Sequence, residues 1–328
     1  MKSVKQWMGV VGLVILGTGL AACSSDSNTA SSEGASSYPD GDIEVVVGWG
    51  AGGGTDNFTR AISRELSDIL DVNINVVNQP GASGANAGNY VASQPADGQT
   101  IWAISSNYAI NVADGKTPHD LSKYTPIGRV QKDTMTLQVQ TDKFEDYDTF
   151  IEEAKANPGK LSVGGTGARG FDEIILRQLE SEAGAEFNYI PYEDAGEMHA
   201  AVLGGHIDAM LDEIGPTAAQ LEGGGLEMLL IFSDEQVAGF EDVPLSVDKD
   251  VNVVDGQSRG LMVHADTPVE IVEALESALE EAKDAETYLE YEEENYLNLR
   301  TGWLDSEGFK EQLESDISVY EEILTTIQ

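Results

Sequence analysis

Residues 43–60 read IEVVVGWGAGGGTDNFTR, and this stretch decides the fold. The run from Ile43 to Val47 is apolar and rich in β-branched residues, which predicts a buried strand. Glycines at positions 50, 52, 53 and 54 then predict a tight loop, because glycine lets the backbone approach other groups closely. Thr55 or Asp56 can cap a helix, and apolar residues at helical spacing predict that helix over 55–70. A strand, a glycine loop and a helix in this order indicate an α/β protein.

The glycine loop has the properties of an anion-binding site. A helix N-terminus leaves about four backbone N–H groups unpaired and carries roughly half a positive charge. A P-loop is excluded because Gly54 is followed by Thr55-Asp56 and not by the Lys-Ser/Thr pair that holds a triphosphate. A dinucleotide fold is excluded because the next predicted strand, 72–77, ends in Asn78-Gln79-Pro80 and lacks a terminal acid. The loop suits a small carboxylate; the alternative is a glycine turn that only lets the helix pack on the sheet.

A similar unit recurs in the second half of the chain. A strand predicted over Lys160–Val163 leads into glycine-rich residues 164–170 and then into a helix over 172–183. Ser106 and Asn107 follow another predicted strand, 100–105, and would form a third wall of the same site. Because clefts between domains commonly bind ligands, we expect an anion to be held between the two glycine loops.

The length of the chain predicts two domains. After residue 37 about 290 residues remain, which is more than a single compact core normally holds. We predict a first domain over 38–138, a second over 139–260, and a return to the first domain with C-terminal packing helices over 261–328. The sequence Thr267-Pro268-Val269-Glu270 predicts a capping box at the start of the helix that follows the return.

The N-terminus predicts export and a lipid anchor. A short basic region precedes an uncharged apolar run from Trp7 to Leu20, which is typical of a signal peptide over 1–22 and too short for a comfortable membrane span. The sequence Leu20-Ala21-Ala22-Cys23 resembles a bacterial lipobox, so Cys23 is the predicted lipidation site. Polar, low-complexity residues 23–37 predict a flexible tether. Cys23 is the only cysteine, so no disulfide can form within one chain.

Composition excludes several function classes. The chain has 58 acidic and 18 basic residues, a net charge of −40, which disfavours nucleic acid and anionic lipid as partners and is typical of salt-tolerant proteins. None of the four histidines stands at a metal-binding spacing or beside a nucleophile motif, so we predict neither a cofactor nor a metal, and an enzyme is the weaker alternative.

Several short motifs, in order, resemble the periplasmic solute receptors of tripartite tricarboxylate transporters, also called the Bug family. The motifs are Tyr38-Pro39, Gly52–Asp56, Val77–Gly84, Pro95–Thr100, Ala156–Leu161, Pro191-Tyr192, Gly204–Asp212, Asp242–Pro244 and Thr267-Pro268. The resemblance covers essentially all of residues 38–327. It rests on the order and the spacing of these motifs together.

The resemblance implies a two-domain Venus-flytrap fold of the periplasmic-binding-protein class, each domain a mostly parallel sheet flanked by helices, with two crossing strands. Such a receptor is a monomer that closes on a small carboxylate outside the cytoplasm and delivers it to membrane permease subunits. Carried over to this chain, the family's ligand-binding positions are Trp49, Gly52, Gly53, Gly54, Thr55, Asp56, Ser106, Asn107, Gly165, Thr166, Gly167, Ala168, Arg169, Gly170, Tyr192 and Asp212.

Departures from the family pattern bear on the ligand. Arg169 could pair with a second, distal carboxylate or with a surface acid of the protein itself. Glu193 and Asp194 stand where relatives often have lysine and glycine, and Ser258-Arg259 replace a frequent aromatic pair. These acids disfavour a highly charged ligand, so we predict a mono- or dicarboxylate. A sensor that signals to a membrane histidine kinase is the alternative role for the same fold.

Overall fold

The computed structural model describes residues 38–117 and 120–326. The predicted signal peptide, tether and lipidation site at Cys23 lie outside the described residues. The strands are β1 (Ile43–Val47), β2 (Ile74–Asn78), β3 (Thr100–Ser105), β4 (Tyr124–Lys132), β5 (Met135–Gln140), β6 (Ser162–Thr166), β7 (Asn188–Tyr192), β8 (Ala209–Glu213), β9 (Leu226–Ile231) and β10 (Ser258–His264).

Helices follow most of the strands. They are α1 (Gly54–Leu70), α2 (Ala85–Val91), α3 (Asn107–Ala113), α4 (Tyr147–Ala156), α5 (Phe171–Ala183), α6 (Ala195–Leu203), α7 (Ile214–Glu222), α8 (Val269–Lys283), α9 (Glu286–Glu294) and α10 (Ser306–Thr326). Within the described ranges, none of these helices combines the length and the apolar character needed to cross a membrane.

The strands form two five-stranded sheets with equivalent layouts. The first has the order β2-β1-β3-β10-β4 and the second β7-β6-β8-β5-β9. In each sheet the first three strands are parallel and the fourth, β10 or β5, is antiparallel to both of its neighbours. The predicted two-domain α/β fold is therefore confirmed, with one antiparallel strand in each sheet. We call the first sheet with its helices the first lobe and the second sheet with its helices the second lobe.

The chain crosses twice between the lobes. It leaves the first sheet after Lys132, enters the second at Met135, leaves it after Ile231 and returns at Ser258. The domain limits predicted at 138 and 260 stay a prediction.

Apolar periodicity explains how the elements pack. In the first lobe, Val45 of β1, Phe58 of α1 and Leu261 of β10 are buried in one cluster. In the second lobe, the rings of Phe150 and Phe187 stack with centroids 5.2 Å apart. Helices therefore pack their apolar side chains against each sheet. The polar residues at the ends of the strands lie in the space between the lobes.

Two local predictions differ from the structure. The capping box at Thr267 is wrong: α8 has Pro268 as its N-cap, and the buried Thr267 Oγ1 has no hydrogen-bond partner. Strand β4 was not predicted because it contains Pro126 and Gly128. It lies at the edge of its sheet, where a missing backbone N–H is tolerated.

Candidate functional site

A narrow cavity of about 30 Å³ lies between the lobes where the strand ends of both sheets meet. That volume holds no more than a few waters, so the lobes are close together here. The sequence predicted half of the lining residues: Trp49, Gly53, Gly54, Thr55, Asn107, Thr166 and Asp212. The other half were not among the predicted ligand-binding residues, although Gly50 was placed in the glycine loop and Glu193 and Arg259 were noted as departures that bear on the ligand: Gly50, Ser105, Glu193, Ala195, Glu213, Gln257 and Arg259.

The N-terminus of α1 forms one wall. Its N-cap, Gly53, makes no side-chain capping hydrogen bond, and the first-turn residues Gly54 and Thr55 line the cavity, so N–H groups without an intrahelical acceptor lie beside it. Gly53 and Gly54 also allow a close fit, since a side chain at Gly53 would meet Ala195 Cβ at 3.4 Å and one at Gly54 would collide with the Arg259 guanidinium. This wall offers backbone donors and a positive helix end to a bound anion.

Asp56 supports the loop from behind and does not line the cavity. Its Oδ2 accepts hydrogen bonds from Gly52 N at 3.0 Å and Arg60 Nε at 2.9 Å, and its Oδ1 accepts one from Asn78 Nδ2 at 2.8 Å. Burial acts to raise the pKa of Asp56, but the hydrogen bonds from Arg60 and Gly52 outweigh it and lower the pKa below the usual value. Asp56 therefore holds the glycine loop in place as an anion.

Arg259 on β10 is the buried cation of the site. Its side chain is 3% exposed and donates to Thr55 Oγ1 at 3.2 Å, to Asp133 Oδ2 at 3.1 Å and to Glu213. Burial raises the pKa of Asp133 to about 6 and that of Glu213 well above its usual value, although the Arg259 charge opposes both shifts. One cation is thus shared by two carboxyl groups and a hydroxyl.

Asp212 is held by a histidine that the sequence did not single out. Asp212 Oδ2 pairs with His199 Nε2, and its Oδ1 accepts from the Glu213 N–H at 2.9 Å. Burial acts to lower the pKa of His199, but the hydrogen bond and charge of Asp212 outweigh it and raise the pKa. The predicted acidic position therefore does line the cavity, as one half of an ion pair.

The second glycine loop is occupied by the protein itself. The N–H of Thr166 donates to Asp172 Oδ2 at 2.6 Å, that of Gly167 to Tyr192 O at 2.8 Å, and that of Phe171 to Asn107 Oδ1 at 3.0 Å. Burial raises the pKa of Asp172 to about 7, with the Thr166 hydrogen bonds opposing the shift. This loop contributes Thr166 to the cavity. Its N–H groups are used by acceptors of the protein, Asp172 and Tyr192 in the second lobe and Asn107 in the first.

Arg169 points away from the cavity and links the lobes. It donates from Nε to Asp114 Oδ2 at 2.9 Å and from Nη2 to Asp114 Oδ1 at 2.5 Å. Lys116 Nζ donates to the carbonyls of Ala168 at 2.6 Å and Arg169 at 3.0 Å. Of the two predicted alternatives for Arg169, the structure shows the ion pair with an acid of the protein. We call Asp114, Lys116, Ala168 and Arg169 the interlobe clasp.

The remaining predicted residues do not line the cavity. Ser106 Oγ accepts from Ser258 N at 2.9 Å, Tyr192 packs in a small apolar cluster of the second lobe, and Gly167 adopts a positive φ of 76°. The predicted residues that do not line the cavity are Gly52, Asp56, Ser106, Gly165, Gly167, Ala168, Arg169, Gly170 and Tyr192.

The site presents polar groups of both lobes to the cavity. Among the described residues, no group of three or more His, Cys, Asp or Glu side chains has a metal-binding arrangement. Donors are concentrated at α1 and Arg259, and the lining carboxyl groups belong to the second lobe, where Glu213 pairs with Arg259.

Comparisons with known proteins agree with this architecture. A family model described as the tripartite tricarboxylate transporter family receptor matches residues 58–303. A Cupriavidus necator protein, described as the UPF0065 protein in the gbd 5′ region, is 28% identical over 276 residues, which cover 78% of this chain and 79% of the relative.

Solved structures are also similar. A TctC solute binding protein from Polaromonas is 27% identical, with a TM-score of 0.65 over 88% of this chain and 99% of that one. Malate-bound MatC of Rhodopseudomonas palustris is 22% identical, with a TM-score of 0.80 over 89% of this chain and 100% of that one.

Proposed function

Because the chain belongs to the tripartite tricarboxylate transporter receptor family, we propose that it captures a small organic carboxylate between its lobes and delivers it to the permease subunits of such a transporter. Membership of a receptor family supports an extracytoplasmic solute-binding role over an enzymatic one. The identity of the ligand, the permease partner, the monomeric state and the lipid anchor at Cys23 are parts of the proposal.

One observation carries the carboxylate assignment. The uncapped N-terminus of α1 and the Arg259 guanidinium converge on the same wall of the cavity, beside Gly54. Backbone N–H groups and a guanidinium are the donors that proteins use for carboxylates. The MatC relative was solved with malate, a small carboxylate, which supports a mono- or dicarboxylate here.

The proposal is tested by a thermal-shift screen of the full chain against mono-, di- and tricarboxylates, with neutral and cationic solutes as controls. A ligand at 100 times its dissociation constant stabilises by about 2.7 kcal/mol, which is roughly 5–10 °C for a protein of this size. A shift with one class of carboxylate supports the proposal. Shifts with neutral solutes alone contradict it.

Gly53→Val tests the position of the carboxylate. The new side chain would lie at the N-terminus of α1 and contact Ala195. We therefore expect binding in the same screen to be lost, while the melting temperature of the unliganded variant stays within about 3 °C of the wild-type value. Gly41→Val is the matched control, since nothing lies within 4 Å of that position. Unchanged affinity in Gly53→Val would remove this loop from the site.

A further inference from the structure

The acidic and basic groups that line the cavity come from different lobes. Its lining carboxyl groups belong to Glu193, Asp212 and Glu213, and all three lie on the second lobe, after β7 or at the end of β8. The first lobe supplies the α1 N-terminus and Arg259. Arg259 itself reaches Glu213, so Glu193 and Asp212 are the lining carboxyl groups that this cation does not contact.

The glycine loop of the second lobe has little to offer an anion. The N–H groups of Thr166, Gly167, Arg169 and Phe171 are already paired with acceptors of the protein. A second carboxylate placed at this loop would thus lack the donors that the first one finds at α1.

Positive charge is also limited. Arg259 is the only lysine or arginine among the lining residues, and it is paired with Asp133 and Glu213. Asp212 is balanced by His199. Glu193 has no cation among the lining residues to balance it, so the second-lobe wall keeps an excess of negative charge.

A buried acceptor independently points to a donor on the ligand. Gln257 lines the cavity and is 3% exposed, and its Oε1 is buried without a hydrogen-bond partner. An unpaired buried acceptor is destabilising unless a bound molecule donates to it.

We propose that the ligand is a carboxylate that also carries a cationic nitrogen, with the carboxylate against the N-terminus of α1 and the N–H donors facing Glu193 and Gln257. This inference rests on the proposed function, because it assumes that the α1 wall binds a carboxylate. The ligand then has a net charge of zero or −1 and matches the polarity of the cavity.

Matched ligands test the inference. Calorimetric titration of the full chain would compare butyrate with 4-aminobutyrate, and succinate with aspartate, with butylamine as the amine that lacks a carboxylate. We expect the better-fitting amino carboxylate to bind at least tenfold more tightly than its plain counterpart. Plain carboxylates that bind equally well or better would overturn the inference and leave the carboxylate proposal intact. If butylamine alone bound as tightly as the amino carboxylates, or if no carboxylate bound at all, both would be wrong.

Glu193 allows a second test without a risk to folding, since its side chain is exposed. Glu193→Gln should reduce the preference for the amino carboxylate at least threefold, and Glu193→Lys should reverse it in favour of the plain dicarboxylate. Glu197→Gln is the matched control, because Glu197 is an exposed acid of α6 outside the cavity. Equal preferences in the wild type, Glu193→Gln and Glu193→Lys would exclude Glu193 as a selectivity residue and overturn the assigned orientation.

Discussion

At the scale of single residues, Arg259 organises the cavity. It is buried, and its three partners come from the first lobe, the crossing segment and the second lobe, at Thr55, Asp133 and Glu213. A buried ion pair adds little net stability compared with an apolar replacement, but the loss of one partner leaves a charge buried and unpaired. Arg259 therefore serves both stability and the geometry of the site.

Arg259→Ala should lower the free energy of unfolding by about 3–5 kcal/mol, because Asp133 and Glu213 would lose their cation. Urea unfolding followed by circular dichroism measures this. The exposed Arg64 of α1 gives the control Arg64→Ala, for which we expect a change within about 0.5 kcal/mol. A loss below about 1 kcal/mol for Arg259→Ala would show that the two acids are neutral without it.

The buried titratable groups predict how stability depends on pH. The pKa of His199 is raised by Asp212, and that of Asp172 is raised by burial to about 7. A group whose pKa is raised on folding stabilises the fold below its unfolded pKa and loses that contribution as pH rises through the folded pKa. We expect the free energy of unfolding to fall between pH 5 and 8, measured by urea unfolding at each pH.

Asp172→Asn provides the check, since it removes one of these titrations and should flatten the curve between pH 5 and 7. Stability that rises with pH over this range, in the wild type, would contradict the assigned pKa directions.

At the scale of elements, the interlobe clasp connects the end of α3 to the loop before α5. The Arg169–Asp114 pair is bidentate, but the Arg169 side chain is 49% exposed, so solvent weakens it. Exposed ion pairs contribute about 0.2–1 kcal/mol. The clasp therefore adjusts the balance between open and closed lobes without fixing it.

Arg169→Ala should weaken ligand binding by roughly two- to fivefold and increase the radius of gyration of the unliganded protein in small-angle scattering. Arg177→Ala is the matched control, because Arg177 pairs only within its own lobe, with Glu173 and Glu180. If both variants behaved alike, the effect would come from general charge and not from the clasp.

The sequence predicts elements better than it predicts the site. Both strand–loop–helix units depend on local signals, namely glycine runs and apolar periodicity, and β1 and β3 have the predicted bounds. Arg259 reaches Thr55 across 204 positions, a contact that no local pattern encodes. The available signal was an arginine at the start of an apolar returning strand in a chain with only 18 basic residues.

For the second glycine loop, the sequence overstates the capacity to bind a ligand. Its sequence is as rich in glycine as the first, yet its donors are used by Asp172, Tyr192 and Asn107. Whether an N–H is free depends on acceptors brought in by other elements, so glycine content alone overstates the capacity to bind anions.

At the scale of the whole molecule, the net charge of −40 opposes the closure of the two lobes on a ligand. Two acidic lobes repel each other as the cleft shuts, and salt reduces this repulsion because the screening length falls from about 10 Å at 0.1 M to about 3 Å at 1 M. Inside the closed cavity the ligand contacts are short and less screened.

Binding of the preferred carboxylate should therefore tighten as KCl rises from 0.1 to 1 M, against the usual weakening of anion binding by salt. Titration calorimetry at both concentrations measures the change. Steady weakening over this range would mean that direct attraction between ligand and protein outweighs repulsion between the lobes.

The place of β10 between β3 and β4 also determines when the first lobe can form during biosynthesis. Ser258 to His264 leave the ribosome more than a hundred residues after the strands on either side of them, so the first sheet stays divided until most of the polypeptide has been made. Contacts so distant in sequence form slowly. We therefore expect the first lobe to complete its fold only after all the strands of the second lobe have been made.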